Sequence, residues 1–156
     1  MHRNEYPRPD FVREHWACLN GIWDFEFDDN NIGMSSKWYK KDHKLTEKIN
    51  VPFVFQSKLS NININDFHDF IWYKREFTID DSWKNKDILL HFGAVDYRCH
   101  VFINGELAGS HEGGHTSFYL NITNYLTWDK EEITVYVEDP SDDETVPRGK
   151  QYWLEK

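Results

Sequence analysis

The chain has 156 residues, and its 27 aspartates and glutamates outnumber 18 lysines and arginines, which gives a formal net charge of −9 at pH 7. Nucleic acid and anionic membranes repel so acidic a chain, so neither is an expected partner. The length suits one domain that buries a core without needing a disulfide or a metal.

Aromatic residues make up 17% of the sequence, which is typical of chains that build a β-sheet core. No apolar run approaches the roughly 20 residues that span a bilayer, and the N-terminus MHRNEYPRPDF has no apolar signal region. Cys18 and Cys99 are not spaced as a metal-binding or redox pair, so we expect buried thiols. These features predict a cytoplasmic protein, unless a leader has been removed.

Short segments with alternating apolar residues follow one another along the chain, as in strands with one buried face. The first is predicted at residues 22–27, before a loop over 28–36 that Trp38 and Tyr39 should pack down. Further strands are predicted at 49–51, 70–79, 87–92, 117–121 and 132–137, with a long connection over 53–69 and helical turns at 10–16 and 122–126. This pattern predicts an all-β fold, a jelly-roll β-sandwich of about eight strands.

The middle of the chain contains the clearest hairpin. Alternate positions are occupied by apolar or aromatic residues across one predicted strand: Val95, Tyr97, Cys99, Val101 and Ile103. Asn104-Gly105 follows at once, and because both residues tolerate positive φ, this dipeptide predicts a tight turn. We expect the return strand to begin at Leu107 and the hairpin to be central in its sheet.

His111-Glu112-Gly113-Gly114-His115 matches the H-E-x-x-H pattern of zinc peptidases, which requires a helix that places both imidazoles on one face. Two glycines inside that helix would each cost about 1 kcal/mol relative to alanine. A loop with positive φ between strands is therefore the better interpretation. Glu112 is then either a solvated loop acid or a hydrogen-bond acceptor in a cleft, and no metal site is expected.

Neither nucleotide-binding nor nucleophile motifs occur in the sequence. Adjacent acidic residues at 28–29, 80–81 and 142–143 fall in predicted turns, so we interpret them as solvated surface rather than as a catalytic carboxyl pair. The tail, residues 139–156, is polar, carries two prolines and a glycine, and is expected to leave the sandwich. A sandwich normally closes an edge with one more strand, so we expect the chain to be a fragment.

Four stretches taken together resemble glycoside hydrolase family 2 enzymes, the β-galactosidase and β-glucuronidase group. They are RPDFVREHWACLNGIWDFEFD, IWYKREFTI, LLHFGAVDYRCHVFINGELAGSHEGGH and PRGKQYW. The resemblance, from about residue 8 onward, implies the N-terminal sugar-binding domain of such an enzyme, a galactose-binding-like jelly roll. Residues 1–156 are then one domain, and the immunoglobulin-like domain and catalytic (β/α)8 barrel of the parent are absent.

The resemblance also implies where substrate contacts lie. In β-galactosidase-like members a loop of this domain reaches the active site of the barrel, and residues 148–153 match that loop. We therefore expect Arg148, Lys150, Gln151 and Trp153 to contact the sugar, although they would alternatively anchor a domain interface. Gln151 stands where some relatives place an acid. No catalytic residue, metal or cofactor is expected here, because the catalytic glutamates belong to the barrel.

The expected partners are a carbohydrate substrate and the catalytic barrel of the same parent chain, and the resemblance allows a homo-oligomer. Two other functions remain open. A free-standing carbohydrate-binding module would stack sugars on exposed aromatics such as Trp38, Trp83 or Trp128. A purely structural domain would contribute only interfaces.

Overall fold

The computed structural model describes residues 5, 6 and 8–147. The strands are β1 (Gly21–Phe27), β2 (Glu47–Val51), β3 (Phe70–Phe77), β4 (Leu89–Phe92), β5 (Arg98–Ile103), β6 (Glu106–Glu112), β7 (Phe118–Asn121) and β8 (Glu131–Glu138). Single 3₁₀ turns lie at Pro9–Phe11, Lys58–Ser60, Asp81–Trp83 and Thr123–Tyr125. Within these residues no helix is long and apolar enough to cross a membrane.

The strands form two antiparallel sheets. Six strands pair in the order β2-β1-β3-β8-β5-β6, and β4 pairs with β7 in a second, two-stranded sheet. The predicted all-β sandwich with about eight strands is confirmed.

The main core lies between the two sheets and follows the alternation of the sequence. On β8, Ile133, Val135 and Val137 are buried in it, as predicted. Phe55 belongs to the same cluster and Ile62 packs against it, so the long connection over 53–69 extends the small second layer. Cys99 is fully buried as expected, whereas Cys18 is half-buried.

The opposite face of the six-stranded sheet carries a second core under the segment 28–46. Its buried members are Trp38, Leu45, Trp72, Phe102 and Tyr136, with Tyr39 packed against them. The prediction that Trp38 and Tyr39 hold this loop down is confirmed. A buried Trp38 has no ring face available for a sugar.

A buried lysine also fixes this segment to the sheet. The Lys74 ammonium donates to the carbonyls of Lys40 and His43, each at 2.8 Å, and lies 3.4 Å from a carboxylate oxygen of Glu132. Burial lowers the pKa of Lys74 and raises that of Glu132, although their mutual attraction opposes both shifts. The pair thus links neighbouring central strands to the covering segment.

The turn of the hairpin is confirmed, but the hairpin differs from its prediction in where β5 begins and in its place in the sheet. Asn104 and Gly105 have φ values of 53° and 78°, which confirms the tight turn. However, β5 begins at Arg98, and the apolar alternation that starts earlier belongs to the crossing between the two sheets. The hairpin also lies at the edge of the large sheet rather than at its centre. Sequence alternation detects a buried face but does not say which sheet supplies it.

Candidate functional site

One end of the sandwich gathers the ends of three neighbouring strands. The antiparallel registers pair Phe27 with Ile71 and Phe70 with Glu138, so the end of β1, the start of β3 and the end of β8 lie side by side. The Asp139 N–H donates to the Asp69 carbonyl at 2.8 Å. Asp139, the first residue after β8, is therefore fixed at this end of the fold.

A small cavity opens at this end, and we call it the exit cavity. Its volume is about 200 Å³, and it is lined by Asp29, Phe67, Asp69, Phe70 and Ser141. The Ser141 N–H donates to an Asp69 carboxylate oxygen at 3.0 Å, which fixes that acid beside the chain leaving β8. Carboxylates accept hydrogen bonds from hydroxyl groups, and phenylalanine rings pack on apolar ring faces. The lining thus suits part of a polyhydroxylated ligand.

The size of the exit cavity limits what it can do alone. Pockets that enclose a small molecule usually measure about 300–1,000 Å³, and this one is smaller. One of its lining residues, Phe67, is itself 50% exposed to solvent. The described residues therefore form one wall of a site rather than a whole site.

His68 holds one of the two acids in place. Its Nδ1 lies 2.7 Å from Oδ1 of Asp29, and its ring stacks on Phe27 with centroids 3.6 Å apart. The edge of Phe55 packs against the same ring at 5.6 Å. A mostly buried imidazole clamped between aromatic rings gives Asp29 a fixed partner beside the exit cavity.

Asp28 is not the solvated surface acid that the sequence predicted. Its side chain is 2% exposed and accepts hydrogen bonds from the N–H groups of Ile32 and Gly33, each at 2.8 Å. The Trp72 indole donates to the same carboxylate at 3.0 Å. Three donors compensate the cost of burying the charge, and the acid shapes the loop beside the exit cavity.

The H-E-G-G-H stretch has a structural role. Glu112, the last residue of β6, accepts hydrogen bonds from Arg98 Nε at 2.9 Å and from the Tyr97 hydroxyl at 3.2 Å. These bonds lower the pKa of Glu112. Its side chain is 56% exposed, so Glu112 combines parts of both interpretations: it accepts hydrogen bonds, but at the surface and not in a cleft.

His111 and Gly113 also have structural roles in the H-E-G-G-H stretch. His111 stacks on Phe118 with centroids 4.1 Å apart, and Gly113 has a φ of 126°, as predicted for a glycine loop. The stretch is a strand end and a turn, so it lacks the helix that the zinc motif requires. No group of acids, histidines and cysteines in the described part of the chain is arranged to hold a metal ion.

The predicted substrate contacts Arg148, Lys150, Gln151 and Trp153 lie outside the described residues, so they remain a prediction. The structure adds Asp29, Asp69 and Ser141, which the sequence analysis did not connect. The sequence predicts strands that end at residue 27 and begin at residue 70, but only the sheet order shows that these two ends are neighbours.

Comparison with known proteins gives a consistent result. The family model for the glycosyl hydrolases family 2 sugar binding domain matches residues 16–155. A β-glucuronidase from Paenibacillus borealis is 27% identical over 93% of this chain and 24% of its own length. A β-galactosidase from Thermoanaerobacter pseudethanolicus is 28% identical over 84% of this chain and 16% of its own.

Solved structures agree with these sequence matches. The crystal structure of Ruminococcus gnavus β-glucuronidase superposes with a TM-score of 0.73 at 28% identity, covering 86% of this chain and 23% of that protein. The same enzyme in complex with D-glucaro 1,5-lactone matches equally, over 83% of this chain. The chain spans about a quarter or less of the length of each of these relatives.

Proposed function

The chain belongs to the sugar-binding domains of glycosyl hydrolase family 2, and from that premise we propose that it is one non-catalytic domain of a longer β-glycosidase. A separate catalytic barrel of that protein hydrolyses the O-glycosyl bond. This domain contributes to the rim of the substrate pocket and packs against its neighbours. The observation that carries the proposal is that the chain matches a family domain over residues 16–155 while spanning only 24% of a full-length relative.

The exit cavity supports the rim role. It offers two carboxylates and two phenylalanine rings but encloses too little volume for a complete sugar site. The segment after β8 is bonded to Asp69 beside this cavity and leads in sequence to Arg148, Lys150, Gln151 and Trp153. We propose that these four residues contact the sugar, as the family resemblance implies.

Exposed apolar side chains support the packing role. The apolar connection surface consists of Val54, Leu59, Ile64 and Phe67, which are 63%, 55%, 42% and 50% exposed. All four lie in the one connection that extends the second layer, and Phe67 also lines the exit cavity. Exposed apolar side chains concentrated in one segment favour an interface, so a neighbouring domain is the proposed occupant.

Kinetics of the longer protein test the rim role. We expect K150A and Q151A each to lower kcat/KM, by about tenfold or more for the charged Lys150, because a hydrogen bond to a charged group contributes about 1.5–3 kcal/mol. K44A, at an exposed lysine outside the exit cavity, is the matched control. Unchanged kcat/KM in both variants would contradict the rim role. Packing against neighbouring domains would then be the only proposed role of this domain.

The substrates to test first are β-glucuronides and β-galactosides, since the relatives are named for them. The 156-residue chain alone should not release nitrophenol from either class of nitrophenyl glycoside. Release at a rate proportional to the concentration of the purified chain would overturn the non-catalytic assignment.

A further inference from the structure

A second, larger cavity opens at the opposite end of the sandwich, and we call it the Trp128 cavity. Its volume is about 610 Å³, and it is lined by Lys84, Asn85, Lys86, Asp87, Thr123 and Trp128. Strand β8 begins at Glu131, near this cavity, and ends at Glu138, near the exit cavity. Seven residue steps at about 3.3 Å each separate the two ends by roughly 23 Å. The two cavities are therefore distinct.

The backbone holds Trp128 in an unusual conformation beside the cavity. Its φ is 62°, in the left-handed region that a bulky residue rarely occupies. Glu131, whose side chain is 1% exposed, accepts hydrogen bonds from the N–H groups of Thr127 at 2.9 Å and Trp128 at 2.6 Å. It accepts a third from the Thr127 hydroxyl at 3.1 Å. A buried carboxylate thus fixes the turn that carries the indole, and such fixed strained positions concentrate at ligand sites.

The polar lining is also held in place. The Thr123 hydroxyl accepts from the Ile88 N–H at 2.8 Å and donates to the Asn121 side chain at 2.6 Å. The same Asn121 side chain donates to Asp87 at 3.3 Å. These contacts anchor an acceptor and a hydroxyl group on one side of the cavity without involving any residue of the exit cavity.

Two further lining residues keep their hydrogen-bonding capacity available. Asn85 has a φ of 71°, so it is the second non-glycine residue of this cavity in the left-handed region. In the part of the chain that the structure describes, no hydrogen bond or ion pair is formed by the side chains of Asn85 and Lys86. An amide and an ammonium group therefore remain for a ligand.

This combination matches a sugar ring. A pyranose presents an apolar C–H face, which packs on an aromatic ring, and peripheral hydroxyls, which pair with amides, carboxylates and ammonium groups. Trp128 is the one aromatic residue among those that line the cavity, and four of the others carry amide, carboxylate or ammonium groups. We propose that the Trp128 cavity binds a pyranose unit of a glycan, at a site separate from the substrate pocket.

Titration of the 156-residue chain with cellobiose, lactose and digalacturonic acid tests this site by calorimetry. We expect saturable binding of at least one of the three. W128G should weaken it about tenfold or more, since truncating an anchoring tryptophan is among the costliest changes at a binding site. Glycine adopts positive φ freely, so this variant removes the ring and keeps the turn, and its thermal unfolding midpoint checks that it folds.

Three more variants make the outcome specific. W128Y keeps an aromatic ring and should bind within a few-fold of the parent, and N85G should weaken binding while suiting the backbone at that position. Y119A removes an aromatic side chain that is 62% exposed but lies outside the cavity, so it should bind normally. Absence of binding by the parent chain to all three sugars, or full affinity in W128G, would overturn the proposal.

The test also separates this site from the proposed rim. Sugar binding that survives in W128G and disappears in K150A/Q151A would overturn the Trp128 site and support the rim. Binding that disappears in W128G and survives in K150A/Q151A would support the Trp128 site, and the kinetic test of the rim would stand unaffected.

Discussion

Asp28 and Asp29 are adjacent and chemically identical, yet the structure gives them opposite environments. Asp28 is 2% exposed and accepts hydrogen bonds from two backbone N–H groups and an indole. Asp29 is 60% exposed, and its only described partner is His68. The two residues are of the same type, so their different roles follow from their positions after the end of β1. Asp28 stabilises the loop, and Asp29 remains exposed.

We expect D28A to lower the free energy of unfolding by about 3 kcal/mol. The substitution leaves the indole of Trp72 and two N–H groups without a charged acceptor, and buried donors without partners cost about 1–3 kcal/mol. D29A is the matched control and should cost about 1 kcal/mol or less, because an exposed ion pair contributes little. Urea unfolding followed by tryptophan fluorescence measures both. Equal losses in the two variants would contradict the assigned roles.

The burial of Asp28 was not predictable from its neighbours in the sequence. The acidic pair precedes a polar loop, and such pairs are usually solvated. What buries the acid is Trp72, 44 residues away, together with Gly33, where an added Cβ would lie 2.7 Å from the Asp28 carboxylate. A contact between residues so distant in sequence becomes visible only when β1 and β3 are known to be neighbours.

At the scale of elements, the turn between Thr123–Tyr125 and β8 depends on one carboxylate. Glu131 begins β8 and accepts hydrogen bonds from Asn104 of the β5–β6 hairpin and from Thr127 and Trp128. Burial by itself would raise the pKa of Glu131, but these hydrogen bonds outweigh it and lower the pKa. A single side chain therefore joins two turns at the end of the sandwich that holds the Trp128 cavity.

The lowered pKa makes the contribution of Glu131 dependent on pH. A carboxyl group whose pKa is lower in the folded state stabilises the fold above its ordinary value, here 4.5, and loses that effect as the pH falls through the folded value. We expect E131Q to lower the free energy of unfolding by about 1.5–3 kcal/mol at pH 7. The difference from the parent should narrow progressively below pH 4.5.

Denaturant unfolding at a series of pH values between neutrality and acid measures this difference. E106Q, at an exposed glutamate that begins β6, is the control and should match the parent chain at every pH. A gap between E131Q and the parent that stays constant into acid would show that lost packing, and not the charge, explains the effect.

The elements themselves were largely predictable, and their arrangement was not. Alternating apolar residues located β1, β3 and β8 within a few residues, because a strand with a buried face must alternate. Alternating apolar residues at Leu90 and Phe92, and again from Val95 to Ile103, did not show that the chain changes sheet between β4 and β5. Both sheets bury their inward side chains in the same core, so the two segments alternate in the same way although their hydrogen-bonding partners differ.

At the scale of the whole molecule, the two faces of the large sheet are covered by different kinds of structure. One face packs against the two short strands β4 and β7 and the connection over 53–69, and the other packs under the segment 28–46. Period-two alternation predicts that only one face of a strand is buried. In β8 nearly every residue is buried on both faces, and the sequence predicted this burial only for the inward residues. The aromatic residues Trp72, Phe102 and Tyr136 occupy positions on the second face where solvated polar residues were expected, and the buried Lys74 beside them is paired with Glu132.

The apolar connection surface gives the last prediction. Val54, Leu59 and Ile64 are more than 40% exposed, so replacing all three by serine removes little buried area from the folded chain. We expect V54S/L59S/I64S to change the free energy of unfolding by no more than about 0.5 kcal/mol per site. The variant should nevertheless bind less of the dye ANS and associate less at high concentration, because the surface that fits a neighbouring domain is lost.

Sedimentation velocity at low and high salt completes this experiment. Salt screens the repulsion that the net charge of −9 causes between copies of the chain. The parent chain should therefore associate more in 1 M salt, where the Debye length is about 3 Å, and the association of the triple variant should increase less.

I22S/L107S, at two residues that are 54% and 51% exposed on β1 and β6, is the matched control. If the control lowers association as strongly as the triple variant, the attraction is spread over the whole surface and the connection over 53–69 is not the interface. If only the triple variant lowers it, the connection over 53–69 is the apolar surface against which the rest of a glycosidase packs.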